Sequence, residues 1–470
     1  MEEMKTGNTL PRGEKGRSGP RNPQAGAERN QRALARQAAM EVLTRIEKPG
    51  PPLSVRLSRV FEDMELSDVD RALATEWCSG VLRQRSTLEG WLASLYQGPM
   101  TRLRPDFRWH LLMGLYGLRF LDKVPHYAVV FEAVEMARAK YGEGAARLTN
   151  ALLRSAQSSE PPVAATSTIA DEFAAEYSHP VWLVKRWIDA LGEARTKELL
   201  EWNQSPAPLW VRINPLRTTV EQFMKILADE GVEARQSEYL PEFVELIGRV
   251  RLRGWAPLVE GKCTVQDFGS GIPVHILDPK PGERVLDLCS APGGKTTQIA
   301  ERMKNEGKVV AVDVSEKRLE LVKDGVKRLG LSCIEPVLMD GREFAFDELF
   351  DAILTDVPCS GTGVMASRAD LRWRRQESDL DELKSLQSQL ADRAATLLKP
   401  GGRLVYSTCS LEPDENQRQI HEFLERHPEF YIETGEDKLP PFRVDEGMWQ
   451  SWPPRDKFGG TFVARLVKRM

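Results

Sequence analysis

The chain has 470 residues, of which 41% are hydrophobic and 29% charged, and a net charge of -4. That length predicts about two to four domains, and the charge balance excludes a basic surface over the whole molecule, so any nucleic-acid contact has to be a local patch. No apolar run is long enough for a bilayer, and the first residues lack the apolar core of a signal peptide. The six cysteines, at 78, 263, 289, 333, 359 and 409, form no C-x-x-C pair. Reduced thiols in a cytoplasmic protein are expected, with no membrane and no metal site.

Residues 1–29 are rich in Gly, Pro, Arg and Lys and predict a disordered basic tail. From 30 to 160 the pattern is helical: Leu34, Ala38, Val42 and Ile46 recur at helical spacing. Ser67 with Asp70 predicts a capping box opening a helix through Leu82. Arg83, Arg85, Arg102, Arg104 and Arg108 are either solvated helix ends or RNA contacts. Pro161-Pro162 marks a boundary. Residues 163–262 predict a small α+β module. Its parts are a helical stretch over 172–191 broken at His179-Pro180, a strand at 210–214, a helix capped by Thr219 and Gln222, and strands near 243–252. Arg212, Arg251 and Arg253 would make a basic face there.

From 263 to 470 strands alternate with helices. Strands are expected at 284–288, 308–313, 334–339, 350–355 and 403–407, with a helix over about 379–398 ended by Pro400-Gly401-Gly402. This predicts a doubly wound α/β sheet. Its opening unit is the apolar run Val285–Leu288 followed by Cys289, Ser290, Ala291, Pro292, Gly293, Gly294 and Lys295. A glycine turn between a strand and a helix lets the backbone approach a nucleotide-like ligand. Asp313, Asp340 and Asp356 each end a later strand, an arrangement that favours an adenosine-type ligand. Cys359 and Cys409 also follow strand ends, each beside small polar residues, and a thiolate there is a nucleophile.

These pieces together carry a resemblance. Asp287–Thr296, Asp356–Ser360 and Thr408–Ser410 resemble motifs of the Sun/Fmu family of S-adenosylmethionine-dependent RNA cytosine-5 methyltransferases. Asp70–Glu76 and Asn150–Arg154 resemble the NusB-type helical domain of that family's RsmB branch, which acts on small-subunit (16S) ribosomal RNA. The resemblance implies three parts: an all-α NusB-like RNA-binding domain, the α+β module, and a C-terminal α/β Rossmann-like methyltransferase domain. It places the nucleophile at Cys409, the cysteine that assists product release at Cys359, and the contact to the cytosine edge at Asp356. Residues 289–295, with Asp313, Asp340 and Asp356, would hold the cofactor. A hydrogen bond from Asp356 to ring nitrogen 3 would need its carboxyl to keep a proton.

The chain departs from the family pattern in three places. Val357 stands where alanine is usual, Ser367–Asp370 replaces R-H-P-D, and Asp456–Gly460 replaces a D-G-F-F-like run. Arg368, Arg372, Arg374 and Arg375 around Trp373 are either an RNA-contact loop or a solvated basic loop. A monomer acting on RNA and not on DNA is expected. The rival readings are a non-catalytic RNA-binding assembly factor, a DNA cytosine methyltransferase, a nicotinamide oxidoreductase, and the same chemistry on another RNA such as tRNA.

Overall fold

In a computed structural model the described residues are 23–48, 50–122, 124–162, 167–248, 250–434, 439–444 and 447–470. The first helix spans Pro23–Leu43. It begins inside the segment expected as tail, because Ala, Glu, Arg and Gln there are good helix formers behind a proline in the first turn. Residues 1–22 of that tail lie outside the described set.

Six further helices, Leu53–Asp63, Asp68–Arg83, Arg85–Leu95, Pro105–Phe120, His126–Tyr141 and Glu143–Ala156, pack with the first into one bundle. The Ser67–Asp70 capping box is formed. The helix Pro105–Phe120 is the bundle's centre, buried almost continuously from Phe107 to Leu118, and its own Trp109 is buried in the same core as Trp77 and Trp91.

The second part opens with three helices. Ile169–Glu176 and Val181–Leu191 flank the break at His179-Pro180, and Glu193–Gln204 was not expected from sequence. A four-stranded antiparallel sheet follows, formed by β1 (Leu209–Ile213), β2 (Ala234–Gln236), β3 (Phe243–Leu246) and β4 (Cys263–Val265) in the order β2-β3-β1-β4. The helix Val220–Asp229 covers it, and its Thr219–Gln222 capping box is present.

The third part is an eight-stranded sheet. Its strands are β5 (Arg284–Asp287), β6 (Lys308–Asp313), β7 (Ile334–Leu338), β8 (Phe350–Asp356), β9 (Leu398–Thr408), β10 (Phe430–Ile432), β11 (Trp449–Gln450) and β12 (Phe462–Lys468). The order is β10-β12-β9-β8-β5-β6-β7, with β11 on β12. Strands β5 to β9 are parallel, as expected, and β5, β6 and β8 are largely buried on both faces. Val285, Val309 and Ala311 point to one core, while Leu286, Val310 and Val312 point to the other. The sheet is mixed rather than wholly parallel, since β10, β11 and β12 run antiparallel along one edge. The short runs at 430–432 and 449–450 carry too little periodicity to be read as strands. The helix expected over about 379–398 spans Asp379–Leu397, but Pro400-Gly401-Gly402 is no loop: β9 runs straight through it, with a register shift opposite Phe350–Ala352.

Candidate active site

The carboxyl ends of β5, β6, β8 and β9 meet along one edge. At the end of β5, Gly293 takes φ 101°, a left-handed conformation that a side chain would strain, and a Cβ there would lie 3.1 Å from Val322 Cα. The turn 289–293 is fastened underneath. The Ser290 N–H donates to Val312 O at 2.9 Å, the Ala291 N–H to Asp313 Oδ2 at 3.1 Å, and Arg318 to Ala291 O. Asp313 is buried and also accepts from the Ser315 N–H at 2.9 Å. Asp340 lies two residues beyond β7, where Arg342 grips its carboxylate and holds it below its ordinary range.

Asp287 and Ser290 were not both singled out by sequence, yet both are buried and each keeps a polar atom without a protein partner: Asp287 Oδ1 and Ser290 Oγ. Burial pushes the Asp287 carboxyl up to about 7; its hydrogen bond from Thr296 opposes this, and the nearby Asp356 adds to it. Burial, with Asp287 next, also drives the Cys289 thiol well above its usual range, so this cysteine stays protonated.

Asp356 ends β8. It accepts from Lys295 Nζ at 2.8 Å and from Ser407 Oγ at 2.7 Å. Burial alone would lower the Lys295 ammonium; Asp356, Cys409 and Asp287 outweigh it and hold it above its ordinary value. The two cysteines face each other, Cys359 Sγ 3.2 Å from Cys409 Sγ, with the Cys409 N–H aimed at Cys359 Sγ at 3.4 Å. The Cys359 thiol donating to it is the main cause that lowers the Cys409 thiol; burial opposes this, and Arg368 and Lys295 assist. Cys359 is correspondingly raised, first by that hydrogen bond and then by burial. One thiolate is thus stabilised by a neighbouring thiol and two cations, which is the environment of an activated nucleophile.

Two expectations about arginines fail. Arg212 is no part of a basic face: it is buried under the glycine turn, bonded to both oxygens of Glu301, to Thr297 and to Gly294 O at 2.8 Å. It ties the small sheet to the helix Gly294–Arg302, and only Arg251 and Arg253, paired with Asp68, stay exposed. The loop after Cys359 is neither an RNA-contact loop nor a solvated one from Asp370 onward. Arg372 is fully buried, Trp373 Nε1 donates to Leu82 O at 2.6 Å, Arg374 pairs with Asp370, and Arg375 donates to Cys359 O and Ser360 O. Arg368 alone of the set is exposed.

The model of the 16S rRNA methyltransferase RsmB/F family matches residues 274–467 of this chain, and that of the NusB family matches 33–158. A ferredoxin-like domain of RsmF/B-like methyltransferases matches 179–253. The probable ribosomal RNA small subunit methyltransferase B of Bacillus subtilis is 34% identical over 92% of this chain and 98% of its own length. The chain belongs to the RsmB/F methyltransferase family. Its Klebsiella pneumoniae relative, ribosomal RNA small subunit methyltransferase B, is 36% identical over 94% of this chain and 98% of its own. The crystal structure of PH0851 superposes with a TM-score of 0.80 at 29% identity, over 93% of this chain and 99% of that one. The cofactor of this methyltransferase is S-adenosylmethionine. The cradle fits it: two buried polar atoms lack protein partners, and Asp313 retains acceptor capacity beyond its two backbone bonds.

Proposed function

We propose that the chain methylates carbon 5 of a cytosine in small-subunit (16S) ribosomal RNA through a temporary bond between Cys409 and the ring. The pairing of the Cys409 and Cys359 sulfurs at 3.2 Å carries this reading. A base methyltransferase working at nitrogen needs no thiolate, whereas carbon 5 of cytosine is too weak a nucleophile without one. Both matched relatives are small-subunit rRNA methyltransferases by name.

The cofactor supplies an electrophilic methyl group on a sulfonium. Residues 289–295 would pass close to it, Asp313 would take its ribose hydroxyls, and Asp340 its adenine amino group. The target cytosine must be unstacked to reach the edge. Asp356 then accepts from its exocyclic amino group, and Lys295 holds Asp356 in place. The Cys409 thiolate forms a bond to carbon 6, moving an electron pair to carbon 5, which takes the methyl group. Cys409 is now a thioether and its negative charge is gone. With that charge gone, the Cys359 thiol can pass its proton to solvent, and the thiolate so formed takes the carbon 5 proton and ends as a thiol again. That C–H pair restores the ring double bond, and the carbon–sulfur pair returns to Cys409.

The test is incubation with labelled S-adenosylmethionine and small-subunit rRNA, followed by nucleoside analysis. Label in 5-methylcytidine is expected; label on another atom, or none, overturns the reading. Label in tRNA alone keeps the chemistry and changes the substrate.

A pH dependence follows from Asp287. The cations of the cofactor favour an ionised carboxylate. Because burial has raised Asp287 to about 7, protonation on the acid side removes that attraction. Affinity should fall about tenfold per pH unit at most below 7, and Asp287→Asn should bind weakly with a flat profile. Calorimetry giving equal wild-type affinity on both sides of neutrality would remove Asp287 from the cofactor site.

A further inference from the structure

Glu415 lies seven residues from the nearest strand end and was not read as functional in the sequence, yet it is fully buried and bonded to the residues that follow both cysteines. Its carboxylate takes four donors, all neutral: the Ser360 N–H and Gln387 Nε2, each at 2.8 Å, and the hydroxyls of Ser360 and Ser410. Ser360 follows Cys359 and Ser410 follows Cys409, so one carboxylate grips the residue after each sulfur. The two serine hydroxyls also meet at 3.0 Å. Gln387 reaches back to Pro358 O at 2.9 Å, and the Tyr406 hydroxyl donates to Glu415 O at 2.8 Å.

We propose that Glu415 is a positioning residue that holds the two cysteine loops at one separation and biases the shared proton toward Cys359. The proposal rests on the reading above, in which Cys409 attacks and Cys359 waits as a thiol. Two observations support it independently of the hydrogen bonds. At Cys359 the hydrogen bond with Cys409 and burial disfavour the thiolate most, and the charge of Glu415 adds to them. The cations Lys295 and Arg368, with the anion Asp356, face Cys409 instead. Glu415 is itself faced by Cys359, Tyr406 and Glu412. The Glu415 charge thus adds to what keeps the proton on Cys359, while two cations and one anion bear on Cys409. A buried carboxylate costs desolvation free energy unless it is fully bonded, and here all its bonds go to groups that fix the two loops.

The experiment is site-resolved alkylation of the full chain with iodoacetamide across pH, read by mass spectrometry at each cysteine, alongside methyl-transfer kinetics. In the wild type Cys409 should react at lower pH than Cys359. Glu415→Gln removes the charge: Cys359 alkylation should move to lower pH by about one unit, a tenfold rise in its thiolate fraction at a given pH. The rate of transfer should fall with cofactor KM unchanged. Glu415→Asp, which keeps the charge, should restore the order of reactivity. An unshifted Cys359 profile in Glu415→Gln, or Asp behaving as Gln does, overturns the proposal. Cys359 reacting first in the wild type would instead overturn the assignment of the nucleophile. If Glu415→Gln fails to bind cofactor, Ser410→Ala decides. It removes one anchor, so transfer should slow at constant cofactor affinity, and an unchanged rate overturns the positioning role.

Discussion

Cys359→Ala should stall with RNA covalently attached through Cys409, while Cys409→Ala should neither attach RNA nor methylate it. The two sulfurs are 3.2 Å apart and equally placed at the strand ends, so position alone does not separate them. Their surroundings do: Lys295 and Arg368 favour a thiolate at Cys409, and the neighbouring thiolate and burial keep Cys359 protonated. In the proposed mechanism, removing Cys409 deletes the group that bonds to carbon 6. The expected loss in rate is at least about 10³-fold, the scale of losing a covalent nucleophile. Removing Cys359 leaves attack and the first methyl transfer possible, then blocks the exit. A denaturing gel with substrate RNA and cofactor should show a retarded protein–RNA band for Cys359→Ala. The double variant should lack it. A band in Cys409→Ala, with none in Cys359→Ala, would reverse the two roles. Cys359→Ala also removes the main donor to Cys409, so its attack should need higher pH than in the wild type.

Arg372→Ala should destabilise the protein by about 3 kcal/mol or more and slow methyl transfer while leaving cofactor affinity near the wild-type value. The guanidinium is fully buried without a carboxylate partner, and burial brings it down to about 9. It donates to four carbonyl oxygens: Arg83 and Ser178 at 3.3 Å, Asn203 at 2.9 Å and Met365 at 3.5 Å. These come from the helical bundle, the connecting helices and the methyltransferase domain. Truncation leaves buried carbonyls unpaired, at about 1–3 kcal/mol each, beside a cavity. The activity loss follows from the same loop. Asp370 accepts from the Leu53 N–H at 3.0 Å, Trp373 rests under Arg85, and Arg375 holds Cys359 O at 2.7 Å. The bundle thus grips the loop whose Arg375 holds the backbone of Cys359. Arg372→Lys should recover little, because a point charge cannot reach carbonyls spread around a planar fork. Denaturant melts with parallel cofactor titration check this; wild-type stability and turnover would show that the loop is held by other contacts.

The parts legible in the sequence were those governed by local rules. Continuous apolar runs marked β5, β6 and β8 within a residue or so, because a strand buried on both faces has no polar position. Ser67–Asp70 and Thr219–Gln222 announced their helices, because a capping box closes within four residues. The glycine turn, the strand-end acids and the two cysteines were visible as motifs, since each motif sits in one short stretch. What only the tertiary structure decided is where charge goes. Arg212, Arg372 and Glu415 look like surface residues in any local window. Their partners lie 89, 194 and 55 residues away, at Glu301, Ser178 and Ser360. Burying a charged group is tolerable only when most of its donors or acceptors are met. Whether that holds depends on which distant backbone atoms the fold brings to the same place, and no periodicity in the chain records it. The antiparallel edge was hidden for a related reason: β10 and β11 are too short to show an alternation, and they exist as strands because β12 offers them hydrogen-bonding partners.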